Sequence, residues 1–110
     1  MTDDSGFSEV IHAPIRLRIC GLLRSVDQLD FSVLRTTLAV SDATLSKHLK
    51  VLLEHNMVTS TKTASSLRKD ARRITWLSLT HEGKRAFDDH IRSLRMIAEG
   101  NDLNPERQEV

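Results

Sequence analysis

The apolar residues of this chain recur at helical spacing in most segments and alternate in two others. The clearest helical pattern lies in SDATLSKHLKVLLEHNMV, residues 41–58. At 100° per residue its leucines fall within about 60° of Leu49, which predicts one buried helix face. Ser41 or Asp42 can cap the start of this helix, and Asn56 can adopt the left-handed conformation that ends one. The predicted buried residues are Leu45, Leu49, Leu52 and Leu53.

Two further helices are predicted to precede this one. Pro14 suits the first turn of the first helix, because proline lacks the N–H that a first-turn residue leaves unpaired. A shorter helix is predicted over residues 31–39, capped by Asp30 or Ser32. Only a few residues separate it from the helix that begins near Ser41, which is the outline of a helix-turn-helix. The apolar stripes are Ile15, Ile19, Leu22 and Leu23 in the first helix, and Phe31, Leu34 and Leu38 in the second.

Two alternating segments predict a β-hairpin. Residues 57–63, MVTSTKT, are rich in β-branched side chains, and residues 72–80, RRITWLSLT, place two leucines on the same face. The segment between them, residues 64–72, is polar and basic without a tight-turn signal, so a long positive loop is expected at the hairpin tip. Trp76 is expected to be a packing residue rather than a platform on which bases stack.

A last helix is predicted from Thr80, which can cap it, to about Glu99, before Gly100 and Asn101. Its length of about 20 residues exceeds what one small core can cover. The C-terminal half is therefore expected to bury its apolar stripe against a second copy of the chain. The predicted dimer interface is Phe87, Ile91, Leu94, Ile97 and Ala98.

The formal net charge of +1 conceals a basic domain between two acidic ends. Residues 1–9 and residues 99–110 each carry a net charge of −3, so residues 10–98 carry +7. We expect disordered tails over 1–9 and 100–110, on either side of one domain over 10–99. A basic surface is typical of a polyanion-binding domain, although charge alone favours an ordinary solvated surface.

The predicted order of elements is helix, helix, helix, strand, strand, helix: a mainly α fold with a small β-hairpin wing, the winged helix-turn-helix. LSKHLKVLLEHNMV at 45–58 and TWLSLTHEGKRAF at 75–87 resemble the small winged-helix DNA-binding regulators related to the MarR and ArsR families. The first segment carries Leu-Ser-x-His-Leu and two more leucines, and the second carries Thr-Trp-x-x-Leu-Thr-x-x-Gly. The resemblance spans residues 10–98 and departs from the family pattern at Asn56, where most relatives have glycine.

This resemblance implies a regulator that binds an inverted-repeat operator in double-stranded DNA as a homodimer, more often a repressor than an activator. The helix that begins near Ser41 would enter the major groove, and the wing would contact the backbone or minor groove. Alternatives stay open: Lys47 and Lys50 can be solvated charges, and His48 can pack against a neighbouring helix. A basic and polar outer face argues against a winged helix that binds only proteins. The candidate DNA-binding residues are Thr44, Ser46, Lys47, His48, Lys50, Arg68, Lys69, Arg72 and Arg73.

Cys20 is a candidate redox residue. Arg16 and Arg24 lie four residues before and after it, on the same row of the predicted helix. If the thiol were exposed there, the two cations would lower its pKa and make it reactive. The alternative is a small buried side chain that packs beside Ile19 and Leu23.

No metal, cofactor or enzyme activity is predicted. His81 with Asp88, or His90 with Asp89, can contribute to a metal site between two chains, but no spacing requires one. The chain has no phosphate-binding glycine loop, no His-Glu-x-x-His and no nucleophile elbow. No residue pattern identifies a small-molecule effector.

The cellular compartment is inferred from the cysteine count, the length of the apolar runs and the composition of the first residues. A single cysteine excludes an internal disulfide and fits a reducing compartment. No apolar run approaches the roughly 20 residues of a membrane span, and the polar, acidic start does not resemble a secretory signal. We expect a cytoplasmic protein of bacterial or archaeal type, associated with the nucleoid when bound to DNA and without a membrane partner.

Overall fold

The computed structural model describes residues 6–64 and 73–100, which form five helices and three strands. The predicted winged helix-turn-helix is confirmed, and two short elements that the apolar pattern does not predict, α1 and β1, are added to it. In chain order the elements are α1 (Glu9–His12), α2 (Pro14–Arg24), β1 (Leu29–Asp30), α3 (Phe31–Leu38), α4 (Asp42–Glu54), β2 (Val58–Ala64), β3 (Arg73–Leu79) and α5 (His81–Ala98).

The wing strand β3 lies between β1 and β2 in a three-stranded antiparallel sheet. β1 has only two residues, too few for an alternating pattern, so it depends on pairing with β3 rather than on local sequence. The register joins Leu29 to Leu77 and Asp30 to Trp76 across β1 and β3, and runs from Val58 with Leu79 to Ala64 with Arg73 across β2 and β3.

The core lies between one side of each helix and the inner face of the sheet. In α4 the predicted face is largely confirmed, because Leu45 and Leu52 are fully buried and Leu49 is 4% exposed. Leu53 is the exception at 38% exposed. The buried sector is centred on the Leu45 and Leu52 side of Leu49, so Leu53 lies beyond its edge. The core residues are Ile11, Ile19, Cys20, Leu23, Leu34, Leu38, Leu45, Leu49, Leu52, Val58, Leu77 and Leu79.

The turn between α3 and α4 depends on a left-handed alanine. Ala39 has φ 57°, a conformation that costs an L-residue roughly 1–2 kcal/mol. Two backbone bonds close the turn, from Ala39 N to Thr36 O (3.2 Å) and from Val40 N to Arg35 O (3.3 Å). An ion pair from Arg35 Nη1 to Asp42 Oδ1 (2.8 Å) joins the two helices across it. The turn therefore connects α3 to α4 through a left-handed residue that is not glycine.

The end of α4 confirms the predicted cap at Asn56, which has φ 60°. Asn56 N–H donates to Leu53 O (3.1 Å) and Met57 N–H donates to Leu52 O (2.9 Å), the two bonds of a Schellman motif. Asparagine thus takes the conformation for which most helices use glycine at this position.

A second cap lies directly beside this one and begins α5. Thr80 Oγ1 accepts from Gly83 N–H (2.7 Å) and donates to Asn56 O (2.7 Å), while Thr80 N–H donates to Met57 O (3.0 Å). A Cβ on Gly83 would lie 2.1 Å from Met57 O, so only glycine permits this approach. The start of α5 is thereby bonded to the end of α4.

The disordered tail predicted for residues 1–9 is wrong for residues 6–9, which pack against α5. A Cβ on Gly6 would lie 3.0 Å from Asp89 Cβ, and Ser8 caps α1 by accepting from Ile11 N–H (3.1 Å). Ser8 N–H donates to Nδ1 of His90 (2.9 Å). Residues 1–5 and 101–110 lie outside the described residues.

His90 is the polar centre of this contact and is fully buried. Since a backbone N–H can only donate, Nδ1 of His90 is the acceptor and its ring proton lies on Nε2. Nε2 is 3.2 Å from His12 Nδ1, and the ring of Phe7 packs edge-on against His90. Burial, and then the nearby His12, lower the pKa of His90 below 6.5, while Glu9 opposes the shift.

We expect Leu49→Ala to lower the free energy of unfolding by about 2–5 kcal/mol, because it leaves a cavity under α4. Leu53→Ala, on the same helix but 38% exposed, should cost about 1 kcal/mol or less. Urea unfolding followed by circular dichroism measures both. Equal losses would show that the buried face of α4 is misassigned.

We also expect the protein to lose stability in acid through His90. Below pH 6.5 the unfolded chain protonates this imidazole while the folded chain does not, so the free energy of unfolding falls as the pH falls. His90→Asn keeps an acceptor for Ser8 N–H but cannot titrate, so its melting temperature should depend less on pH between about 5 and 7. His81→Asn, at an exposed position of the same helix, should follow the wild-type curve. An unchanged profile for His90→Asn would contradict the assignment.

Candidate nucleic-acid interface

The outer face of α4 carries the predicted polar and basic residues. Ser46, Lys47 and Lys50 are exposed, while Thr44 is half-buried. Thr44 is part of the helix cap, since its N–H donates to Ser41 Oγ (3.1 Å) and its Oγ1 accepts from the Ser41 hydroxyl (3.0 Å). Thr44 keeps one hydroxyl hydrogen to donate, so the first turn of α4 carries a hydroxyl donor three residues before the exposed Lys47.

A groove of about 350 Å³ joins this face of α4 to the wing. Ser46 and Lys50 line it from α4, and Ser60 and Lys62 line it from β2. Lys62 is exposed and was not among the sequence candidates, because nothing in a β-branched strand marks which of its residues faces α4. The helix and the wing therefore form one continuous surface with cations on both sides. The full lining is Phe31, Ser46, Leu49, Lys50, Leu53, Ser60, Lys62, Thr75 and Leu77.

Of the four candidate DNA-binding residues in the wing, the structure describes only Arg73. Arg73 is exposed at the start of β3, and it lines a second cavity of about 190 Å³ with Asp30, which caps α3, and Arg35, in the last turn of α3. Arg68, Lys69 and Arg72 lie outside the described residues. Trp76 donates from Nε1 to Thr63 Oγ1 (3.1 Å), which joins the two wing strands.

His48 contacts α2 through Arg16, and its predicted contact with DNA stays a prediction. It is half-buried, and Arg16 Nη1 lies 3.1 Å from its Nδ1. Burial, and then the charges of Arg16 and Lys47, lower the pKa of His48. The ring is therefore held neutral between two cations at the edge of the α4 face.

The redox hypothesis for Cys20 is opposed by its environment. The side chain is fully buried, and this burial raises the pKa of the thiol to about 12, against the opposing charge of Arg16. Such a thiol is neutral at physiological pH and unreactive. Cys20 therefore acts as a small core residue, the alternative interpretation of the sequence.

Asp88 and His90, from the two His–Asp pairs considered for an interchain metal site, have partners within the chain. Arg24 donates through Nε and Nη2 to the two carboxylate oxygens of Asp88 (2.9 Å each), which lowers the pKa of Asp88. His90 is fully buried against Ser8 and cannot reach a second chain. Within the described part of the chain, no three His, Cys, Asp or Glu side chains are grouped to hold a metal ion.

The family model for the winged helix DNA-binding domain matches residues 15–98, from α2 to the end of α5. The chain belongs to this family. The resemblance to winged-helix transcription regulators is thereby confirmed, and DNA is the partner that the family implies. No curated protein matches the chain by sequence.

Solved structures of transcription regulators share this winged-helix fold. The transcriptional regulator homologue from Pyrococcus horikoshii OT3 superposes with a TM-score of 0.77 at 24% identity, over 86% of this chain and 90% of that one. The regulator HlyU from Vibrio vulnificus gives 0.59 at 25% identity, over 73% and 75%. The repressor BigR from Xylella fastidiosa gives 0.57 at 20% identity, over 73% and 71%. None of the helices among residues 6–64 and 73–100 is long and apolar enough to cross a membrane.

Proposed function

We propose that this winged helix binds an inverted-repeat operator as a homodimer and represses transcription by occluding it. The observation that carries the proposal is the continuous surface of α4 and β2, where Lys50 and Lys62 face one groove. An α-helix fits the major groove of B-DNA, and its N-terminal half reaches the base edges. Ser46 and Lys47 are then placed for base contacts, and Lys50 and Lys62 for phosphates.

The second element of the proposal is the dimer. Phe87 packs against the core of its own chain, whereas Ile91 and Leu94 are half-buried outside that core and Ile97 is 44% exposed. A two-fold partner would cover this part of α5. Two α4 helices in such a dimer would meet half-sites about 34–36 Å apart, one turn of DNA. Repression itself is supported by family resemblance, and the role is one of binding rather than catalysis.

The decisive experiment is capture of fragmented genomic DNA on the purified protein at moderate salt, followed by sequencing of the retained fragments. We expect an inverted repeat with half-sites about 10 base pairs apart. If the protein instead retains all sequences alike and loses them steeply as salt is added, it binds DNA non-specifically and is not a sequence-specific regulator. Failure to retain any duplex would reject DNA binding by the purified protein.

A matched pair of variants sharpens this test. Lys47→Ala should lose about 1–3 kcal/mol of binding energy on the recovered operator and relax its preference at one base pair. Arg18→Ala removes an equally exposed cation from α2, about 200° around that helix from Arg16, and should bind like wild type. Equal losses for Lys47→Ala on operator and random DNA would make Lys47 a phosphate contact.

For the dimer, Ile91→Asp combined with Leu94→Asp should yield monomers in light scattering, because two carboxylates cannot be buried unpaired between two helices. Ile97→Asp is the control for folding, since Ile97 is already 44% exposed in the single chain. It should weaken dimerisation while leaving the circular dichroism spectrum unchanged. A double variant that is folded and still dimeric would place the interface elsewhere.

A further inference from the structure

The contact between Arg16 and His48 determines which hydrogen bond His48 can offer. A guanidinium carries only donors, so Nη1 of Arg16 donates to Nδ1 of His48 (3.1 Å). Nδ1 is then the acceptor, and the single ring proton of neutral His48 lies on Nε2. The ring can offer no second acceptor, so its remaining polar atom is a donor.

Arg16 is itself held on its other side. Its Nε donates to the carbonyl oxygen of Val10 in α1. That helix is anchored by Ile11, which is fully buried, and by the Ser8 cap. The guanidinium therefore bridges α1 to α4 and is bonded at both ends, which limits the rotamers that Arg16 and His48 can adopt.

The charges that face His48 agree with this geometry. Arg16 approaches from α2, and Lys47 is its neighbour on α4. Both cations disfavour an imidazolium, and so does the burial of the ring. A second proton would have to lie on Nδ1, where it would meet the N–H of Arg16. The contact with Arg16 thus determines the tautomer, while burial and then the charges of Arg16 and Lys47 favour the neutral ring.

We propose that Arg16 is the positioning residue for base recognition by His48, which presents Nε2–H as one directed donor to an acceptor on a base edge in the major groove. This inference rests on the proposed function of α4. Purine N7, guanine O6 and thymine O4 are the acceptors exposed there. A neutral donor lacks the long-range attraction of a lysine for the phosphates, and a donor held in one direction can distinguish one base edge from another.

The test uses the full-length protein and the operator recovered by DNA capture. Long-range proton–nitrogen NMR of the free protein should show His48 with its proton on Nε2, and Arg16→Met should mix the two tautomers and let the ring protonate at higher pH. Fluorescence anisotropy should show that wild type discriminates one operator base pair by roughly 10-fold or more. Arg16→Met should lose this discrimination, Arg16→Lys should restore it, and Arg18→Met should leave it unchanged.

A second pair of variants leaves Arg16 intact. The amide nitrogen of glutamine can occupy the place of the imidazole Nε2, whereas the amide of asparagine reaches only the place of Nδ1. His48→Gln should therefore retain discrimination at the base pair, and His48→Asn should lose it. This comparison holds even if Arg16→Met does not fold.

The outcomes separate this inference from the proposed function. If wild type binds no duplex, both are overturned. If wild type discriminates among operators and Arg16→Met does so equally with the same tautomer, only the positioning role is overturned. A uniform loss for Arg16→Met on all duplexes also overturns it, because Arg16 would then be a phosphate contact.

Discussion

The position of α4 depends on the joint where it ends, at Asn56 and Met57. Four element ends meet at this joint: α4 and β3 finish here, and β2 and α5 begin. The carbonyl oxygen of Met57 accepts from Thr80 N–H, while Thr80 Oγ1 caps α5 and also donates to Asn56 O. Gly83 permits this approach, because any Cβ there would overlap the Met57 carbonyl. A shift of α5 therefore moves α4 with it, which matters if two α5 helices determine the spacing of two α4 helices.

The opposite side of α4 is held by hydrogen bonds that each involve a side chain. His48 bonds to Arg16, Arg16 bonds to the carbonyl of Val10, and α1 is joined to α5 through Ser8 and His90. The segment before α2 thus contacts both the candidate DNA-reading helix and the candidate dimer helix. These contacts include two histidines that stay neutral because of burial, so this side is the acid-sensitive one, unlike the joint at Met57.

Local chemistry explains which features could be predicted from sequence. The leucine period of α4, the cap at Ser41, the left-handed Asn56 and the cap at Thr80 each depend on residues within one turn of one another. The structure confirms these features and the winged-helix order. The prediction that Leu53 is buried was wrong, because periodicity identifies a helix face but not where the centre of that face lies. β1 and the contact of residues 6–9 with α5 depend on partners more than 40 residues away, for which one sequence carries no signal.

The same distinction applies to the candidate interface. Lys47 and Lys50 were predictable because they lie opposite the leucines on one helix. Lys62 and Arg16 could not be predicted, because only the folding of the chain brings each of them next to α4. In the proposed complex these residues would have different roles. Exposed lysines attract any duplex and lose their effect with salt, whereas a neutral donor with one allowed direction contributes little to overall attraction and more to the choice of base. A recognition surface needs both the charged lysines and the neutral donor. In this chain a count of charged residues reveals the lysines but not the donor.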